Sequence, residues 1–410
     1  MAEINHKNPW REDFPALSQT MNGKRLAFLD SGASAQKPRQ VIEAMKHAIE
    51  YHYANIHRGL YEYSQEKTTE YEAVREKLKS FLGASDAYEA VFTKNTTEAV
   101  NLVAQSWGRT NLKEGDEIIL TEMEHHANFV PWHILKSQIG ITIKYIPVLD
   151  NGALDLSKLD ALLSDKTKLV AFTHVSNVLG TVNPVADIIK QIKAHSKNTI
   201  TLVDGSQAAV HGKVNIADLG TDFYVLTAHK LYGPTGAGAL IGRKTILETM
   251  PPWQGGGDMI ENVTLDGCTY ADIPARFEAG TPAIAEVIGW GAALDYMTQI
   301  GMDKIHAWES EILAYLNARI AEIDGVKIYG TTEGKAGIVS FTIDGCPPSD
   351  IAMILDQMGV AVRTGHHCCQ PLMQRFGIEG TVRASIGLYT DKQDIDQLIE
   401  ALVKAKKMLS

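Results

Sequence analysis

Short apolar runs that end abruptly in polar residues recur along the first two-thirds of the chain. Residues 25–29 run into Asp30-Ser31-Gly32, and residues 90–92 into Thr93-Lys94-Asn95-Thr96-Thr97. Residues 118–120 lead to Thr121-Glu122 and then His125-His126, and residues 169–172 to Thr173-His174. Residues 200–203 lead to Asp204, and residues 223–226 to Thr227-Ala228-His229-Lys230. Runs this short, rich in Val, Ile, Leu, Phe and Tyr and separated by helical patterns, predict a mostly parallel sheet covered by helices. In such sheets ligands bind just beyond the carboxyl ends of the strands. The polar residues after each run are therefore expected to converge on one site, although they lie far apart in sequence.

The pattern breaks at residues 251–274, where Pro251-Pro252 and Gly255-Gly256-Gly257 predict an irregular loop or hairpin insertion. A long helical stretch is expected from about Ala283 into the 312–323 region. Beyond it, residues 337–343, 360–362 and 382–386 read as strands, with a helix at 351–358. Ile395, Leu398, Ile399 and Leu402 follow the spacing of an amphipathic helix. This last part reads as a small α+β unit, a second domain. A chain of 410 residues exceeds one small core.

Composition narrows the classes. The chain is 45% hydrophobic and 21% charged, as in ordinary globular proteins. Its formal net charge of −10, without a basic run, argues against nucleic acid as a partner. No stretch approaches the roughly 18 apolar residues of a membrane helix. The opening MAEINHKNPW lacks a signal-peptide pattern. The four cysteines, Cys268, Cys346, Cys368 and Cys369, form no disulfide framework for this size, so a cytoplasmic location is expected.

Several of the polar ends carry chemistry. A lysine at the edge of a sheet, as Lys230 is expected to be, can lose its hydration and become a neutral nucleophile. Taken alone, a solvated surface lysine is the commoner reading. Asp204, at the same expected edge, changes that. A lysine paired with a carboxylate is what pyridoxal phosphate needs, because the Asp keeps a proton on the pyridine nitrogen. A capping Asp explains that residue equally well by itself. Asn95-Thr96-Thr97-Glu98 opens a predicted helix and makes a phosphate cradle or a plain N-cap. His125 and His126 suit stacking on an aromatic cofactor, proton transfer, or a purely structural role. In Arg363-Thr364-Gly365-His366-His367-Cys368-Cys369, a thiol beside histidines suits the reactive thiolate. No metal site is expected there, since consecutive ligands rarely converge on one ion.

Together these motifs resemble the class V aminotransferase family, and within it the type II (SUF-type) cysteine desulfurases and selenocysteine lyases. The likeness is carried in order by Leu29-Asp30-Ser31, Ala33-Ser34-Ala35-Gln36-Lys37-Pro38, His57-Arg58-Gly59, Asn95-Thr96-Thr97-Glu98 and Met123-Glu124-His125-His126-Ala127-Asn128. It continues through His174–Gly180, Asp204-Gly205-Ser206-Gln207, His229-Lys230-Leu231-Tyr232-Gly233-Pro234, Phe277-Glu278-Ala279-Gly280-Thr281-Pro282, Arg363–Cys368 and Arg383-Ala384-Ser385.

The resemblance implies a pyridoxal-phosphate-dependent transferase of fold type I. Residues 25–295 would form the large domain with a mostly parallel seven-stranded sheet. Residues 296–410 would form the small α+β domain carrying the nucleophile loop, and residues 1–24 would pack against it. Lys230 would carry the cofactor as a Schiff base, His125 would stack on its ring, and Asp204 would pair with the ring nitrogen. Gln207 and Asn177 would bond near the ring oxygen. Thr96, Thr97, Thr227 and His229 would hold the phosphate, and Thr281 would reach that of a neighbouring subunit in a homodimer. Arg383 would clamp the substrate carboxylate, with Asn177, His57 and Arg363 among the substrate contacts. Cys368 would take sulfur from L-cysteine as a persulfide, leaving L-alanine. The sulfur would pass to an acceptor of the SufE or SufU type and to SUF scaffold proteins for iron–sulfur cluster assembly. L-Selenocysteine is the alternative substrate, with an aminotransferase or a non-catalytic scaffold as further alternatives. The chain departs from the family pattern at Cys369, where a small residue is commoner, at Gln254, and at Ala283 after Pro282.

Overall fold

The computed structural model describes residues 8–409. Seven strands pair into one sheet, five of them built on the apolar runs. In chain order they are β1 (Tyr88–Thr93), β2 (Glu117–Thr121), β3 (Thr142–Ile146), β4 (Thr167–Thr173), β5 (Ile200–Asp204), β6 (Phe223–Thr227) and β7 (Gly238–Arg243). Their spatial order is β1-β7-β6-β5-β4-β2-β3. Strands β3, β2, β4, β5 and β6 run parallel. Only β7 is reversed, pairing antiparallel with both β6 and β1. Two strands escape the apolar pattern for physical reasons. β3 is a sheet edge with Thr142 and Lys144 in it, and β7 carries Gly238 and Gly242. Every residue of β6 is buried, as expected of a parallel strand covered on both faces.

The first apolar run does not join this sheet. Ala27–Phe28 pairs in parallel with Val360–Ala361, and Ala27 and Leu29 belong to the apolar core of the C-terminal unit. The long helical stretch is two helices, Ile284–Ile300 and Met302–Ala321. Gly301 divides them at φ +91°, a conformation that side chains rarely adopt. The helix expected after β1 runs regularly only over Thr96–Val103 and then widens into a π turn at Ala104–Gly108.

Within residues 251–274 lies an exposed two-stranded hairpin, β8 (Ile260–Thr264) and β9 (Gly267–Tyr270). The C-terminal part builds an antiparallel sheet from β10 (Val326–Tyr329), β11 (Ile338–Ile343), β12 (Arg363–Gly365) and β13 (Thr381–Ser385), in the order β10-β11-β13-β12. Ile395, Leu398 and Leu402 of the last helix, Lys392–Leu409, pack into its core. Residues 1–7 of the expected N-terminal segment lie outside the described residues. From Asn8 on, the segment touches the C-terminal part. Asn8 Nδ2 donates to the Leu388 and Thr390 carbonyls, and Arg11 pairs with Asp394 at 2.7 Å. No helix among the described residues is long and apolar enough to cross a membrane.

The edge where β5 ends depends on close packing. A Cβ on Gly205 would lie 2.0 Å from the ring of Tyr224, itself fully buried. Overfilling so tight a place costs about 1–3 kcal/mol. Gly205→Ala is therefore expected to lower the unfolding free energy by that amount, read from urea unfolding of the cofactor-free chain.

Candidate active site

The carboxyl ends of β5 and β6 lie side by side. Asp204 is the last residue of β5, and the single turn Ala228–Lys230 follows β6 directly. Both residues line a cavity of about 200 Å³, together with Gly32, Asn95, Ser206 and His367. Burial lowers the Lys230 amine to about 8, against the opposing pull of the Asp204 carboxylate. No hydrogen bond among the described residues engages that amine. Asp204 Oδ1 accepts from Ser206 N at 2.9 Å and from the Ser206 hydroxyl at 2.6 Å. Because Ser206 donates there, it accepts from the Thr96 hydroxyl at 2.7 Å. This chain fixes the carboxylate and leaves its Oδ2 for the cavity.

His125 supplies another wall. Its Nδ1 accepts from Ala127 N at 3.1 Å, so the ring proton sits on Nε2. Burial, with Lys230 and other nearby cations, lowers it to about 3, and the ring is neutral.

Thr96 and Thr97 begin the helix Thr96–Val103, whose N-cap Asn95 accepts from Glu98 N at 2.9 Å. Thr227 and His229 come from the β6 end and line the same cavity. Gly238 lets β7 approach, since a Cβ there would lie 2.7 Å from the Asn95 Cα. Hydroxyls and helix-start amides on one wall, beside a lysine and a carboxylate on another, fit a phosphorylated aromatic aldehyde such as pyridoxal phosphate.

The C-terminal sheet contributes the remaining wall. Arg383 is 1% exposed. Its Nη1 donates to the Asn177 carbonyl at 2.8 Å, and its Nη2 to Asp30 at 3.1 Å. Its buried Nε has no partner among the described residues. A guanidinium held from behind, with a donor to spare, suits a small carboxylate. Arg363 is its register neighbour across β12 and β13 and also lines the cavity.

The two adjacent cysteines occupy unlike places. Cys368 is half-buried and lies within electrostatic reach of both Lys230 and Arg383. His367 and Cys368 hold φ of +52° and +56°. That strained backbone is held from outside. His126 N donates to the Cys368 carbonyl at 2.8 Å, and Asn177 Nδ2 to the His367 carbonyl at 2.8 Å. Cys369 is buried, and its thiol donates to the carbonyls of Met123 and Glu124 at 3.3 and 3.2 Å. Burial pushes that thiol up, far from the thiolate form.

Ten of the residues expected from the sequence line one cavity: Thr96, Thr97, His125, Asn177, Asp204, Thr227, His229, Lys230, Arg363 and Arg383. Others stand elsewhere in the single chain. Gln207 spends its amide nitrogen on the Gly32 carbonyl at 2.8 Å. Thr281 lines a separate cavity of about 530 Å³ with Trp253 and Glu278. His57 bonds Glu72 at 2.9 Å beside Arg58 and Arg75. Glu122 and His174, also at strand ends, turn away to Val148 N and to the Tyr224 hydroxyl. Sequence reading assigned no part to Ser206, Asp30 or His367. All three lie inside quoted motifs, which was the available signal.

A lysine held at about 8 is protonated below that pH and nucleophilic above it. Capture of Lys230 by a small aldehyde, followed by reduction and peptide mapping of the cofactor-free chain, is expected to rise with pH. Its midpoint should lie near 8, below that of exposed lysines at about 10.4.

Comparison with known proteins agrees with this geometry. The family model described as aminotransferase class V matches residues 27–398. A cysteine desulfurase of Dickeya dadantii is 47% identical over 400 residues, spanning 97% of this chain and 96% of that protein. One of Yersinia pestis is also 47% identical, covering 97% and 98%. Among solved structures, the Escherichia coli cysteine desulfurase CsdA superposes with a TM-score of 0.89 at 36% identity, covering 98% of both chains. The apo cysteine desulfurase of Thermococcus onnurineus NA1 gives 0.92 at 37%, covering 100% of both. Matched by that family model over residues 27–398, the chain belongs to the class V aminotransferase family.

Proposed function

We propose that the protein is a pyridoxal-phosphate-dependent cysteine desulfurase, which converts L-cysteine to L-alanine and keeps the sulfur as a persulfide on Cys368. One observation carries this reading. A half-buried thiol is pinned at positive φ within electrostatic reach of both a desolvated lysine and a buried arginine with a spare donor. An aminotransferase has no use for that thiol. The relatives named cysteine desulfurase, similar along nearly the whole chain, support the same reading.

The residues divide the work. Lys230 would bear the cofactor, with Asp204 at its ring nitrogen and Thr96, Thr97, Thr227 and His229 at its phosphate. Bound pyridoxal phosphate supplies an electron sink for the pair released at the substrate Cα. Arg383 orients the substrate carboxylate, with Arg363 beside it. The Lys230 amine, once displaced, takes the Cα proton. Neutral His125, with its proton on Nε2, covers the ring without adding charge. The Cys368 thiolate then forms a bond to the substrate sulfur. The carbon–sulfur bond breaks, its electron pair stays with the substrate carbon, that carbon takes up a proton, and the Lys230 ammonium returns a proton to Cα. Alanine leaves and the sulfur remains on Cys368. Exchange with an acceptor thiol returns the enzyme.

Residues 25–295 and 296–410 act as two domains; the C-terminal sheet has an apolar core of its own, which Ala27 and Leu29 join, while Leu372, Met373 and Leu388 pack into the larger core. The sulfur goes to iron–sulfur cluster assembly through an acceptor of the SufE or SufU type, in the cytoplasm. Two copies pair so that Thr281 and His57 complete the neighbour's site. Leu60 and Leu265 stand fully exposed, and the buried Tyr71 hydroxyl and Trp253 Nε1 lack partners among the described residues.

Cys368→Ala is expected to lower alanine release from L-cysteine by at least about 100-fold while the cofactor absorbance persists. Cys369→Ala is expected to keep the persulfide on Cys368, seen as one added sulfur atom by mass spectrometry. Retained turnover in Cys368→Ala would sink the assignment. Turnover of L-selenocysteine alone would move the substrate to the selenium analogue.

A further inference from the structure

The segment Asp30–Pro38 has no chemical role in the reaction above, yet it touches nearly every part of the site. Asp30 holds Arg383 Nη2 at 3.1 Å. Gly32 N donates to the Ser385 hydroxyl at 2.8 Å, and the Gly32 carbonyl accepts from Gln207 at 2.8 Å. Ser31 Oγ and Gln36 N both meet the buried Tyr389 hydroxyl, at 2.7 and 3.2 Å. The segment then reaches the turn that bears Lys230. The His229 carbonyl accepts from Ala35 N at 3.0 Å, from Lys37 Nζ at 3.1 Å and from Ser34 Oγ at 3.5 Å. Lys37 Nζ also donates to the Ala35 carbonyl and approaches Ser34 Oγ at 3.5 Å.

We propose that Lys37 is a positioning residue that fastens the Lys230 turn to this segment through the His229 carbonyl, and so sets the spacing between the Lys230 amine and the Arg383 guanidinium. The proposal rests on the reading of Lys230 as the cofactor-bearing amine. Its physical basis is the shape of the turn. Ala228–Lys230 is one 3-10 turn, closed by one internal bond from Leu231 N to the Ala228 carbonyl. Such a turn is too short to hold its own direction. The His229 carbonyl is the point at which the neighbouring segment grips it, and Lys37 brings a charged donor there, stronger than a neutral one. No carboxylate pairs with Lys37 among the described residues, so its two carbonyls are what hold the amine in a site that burial makes unfavourable for charge. Its charge also acts on His229, at the phosphate side of the cavity. At the other end of the same segment, Asp30 fixes the arginine. Substrate carboxylate and substrate Cα are thereby located relative to each other by one stretch of backbone.

The test compares the wild-type holoenzyme with Lys37→Met, which keeps the stem and removes the donors, and with Lys37→Arg, which keeps the charge. Four quantities are read: cofactor occupancy, the pH midpoint of the bound cofactor's absorbance change, kcat and KM for L-cysteine, and the thermal midpoint. Lys37→Met is expected to bind cofactor, to lose about ten- to a hundred-fold in kcat, and to move the absorbance midpoint by about half a pH unit or more. Lys37→Arg should fall between the two. If Lys37→Met does not fold, Lys37→Gln, whose shorter amide cannot keep both carbonyls, is read in the same way. An unchanged kcat and absorbance midpoint overturns the proposal. So does a fall in thermal midpoint alone, which would make Lys37 merely structural. A wild-type enzyme inactive on L-cysteine but with an absorbance midpoint sensitive to Lys37 would overturn the desulfurase reading and leave the positioning role standing.

Discussion

The chemistry rests on an amine and a carboxylate brought out of water at the ends of two adjacent parallel strands. Parallel strands end at the same edge of a sheet, so β5 and β6 deliver Asp204 and the Lys230 turn together. Burial opposes charge on the lysine, and Asp204 restores part of it. The balance leaves the amine near neutrality, where it can both attack a carbonyl and accept a proton. The Thr96-Ser206-Asp204 hydrogen-bond chain keeps the carboxylate from turning elsewhere. The same chain ties the helix start at Thr96 to the strand end at Asp204.

Everything brought from the C-terminal sheet is placed relative to that pair. Arg383 lies on an inner strand of its sheet, where neighbours on both sides fix the backbone. The Cys368 loop is different. It is short, strained at two successive residues, and held by His126 and Asn177 from the large sheet's side. Asn177 therefore touches both partners of the reaction's far wall: its carbonyl takes Arg383 and its amide takes the loop. A thiol on such a loop is offered at a set place instead of searching for it. The neighbouring sulfur shows what placement alone does to chemistry. Cys369 is the same residue type one position on, yet it is sealed beneath the turn of His125 and held as thiol by two carbonyls.

Much of this was legible in the residue order. The apolar runs with polar ends marked five strands of the large sheet, and Lys230, Asp204, His125 and Thr96 stand at those ends because a ligand site forms where parallel strands stop. The motif Arg363–Cys369 pointed to a reactive thiol, and its likeness to the family named Cys368. Strands β3 and β7 left no apolar signature, one being an edge and the other glycine-bearing. The run at residues 25–29 looked like one more strand of the large sheet because local pattern does not name a pairing partner. Its partner, Val360–Ala361, is more than three hundred residues away.

What the sequence determined by itself was the kind of chemistry and the edge at which it would gather, since strand pattern and residue type are local properties. Tertiary structure alone decided the rest. It left Cys368 half-buried while sealing Cys369, turned Glu122 and His174 away from the cavity, and set Asp30 against Arg383 and Lys37 against the Lys230 turn. The reason is physical: burial, hydrogen-bond partners and charge at a residue are set by chain segments that meet it only after folding, and no local pattern records which segments those will be.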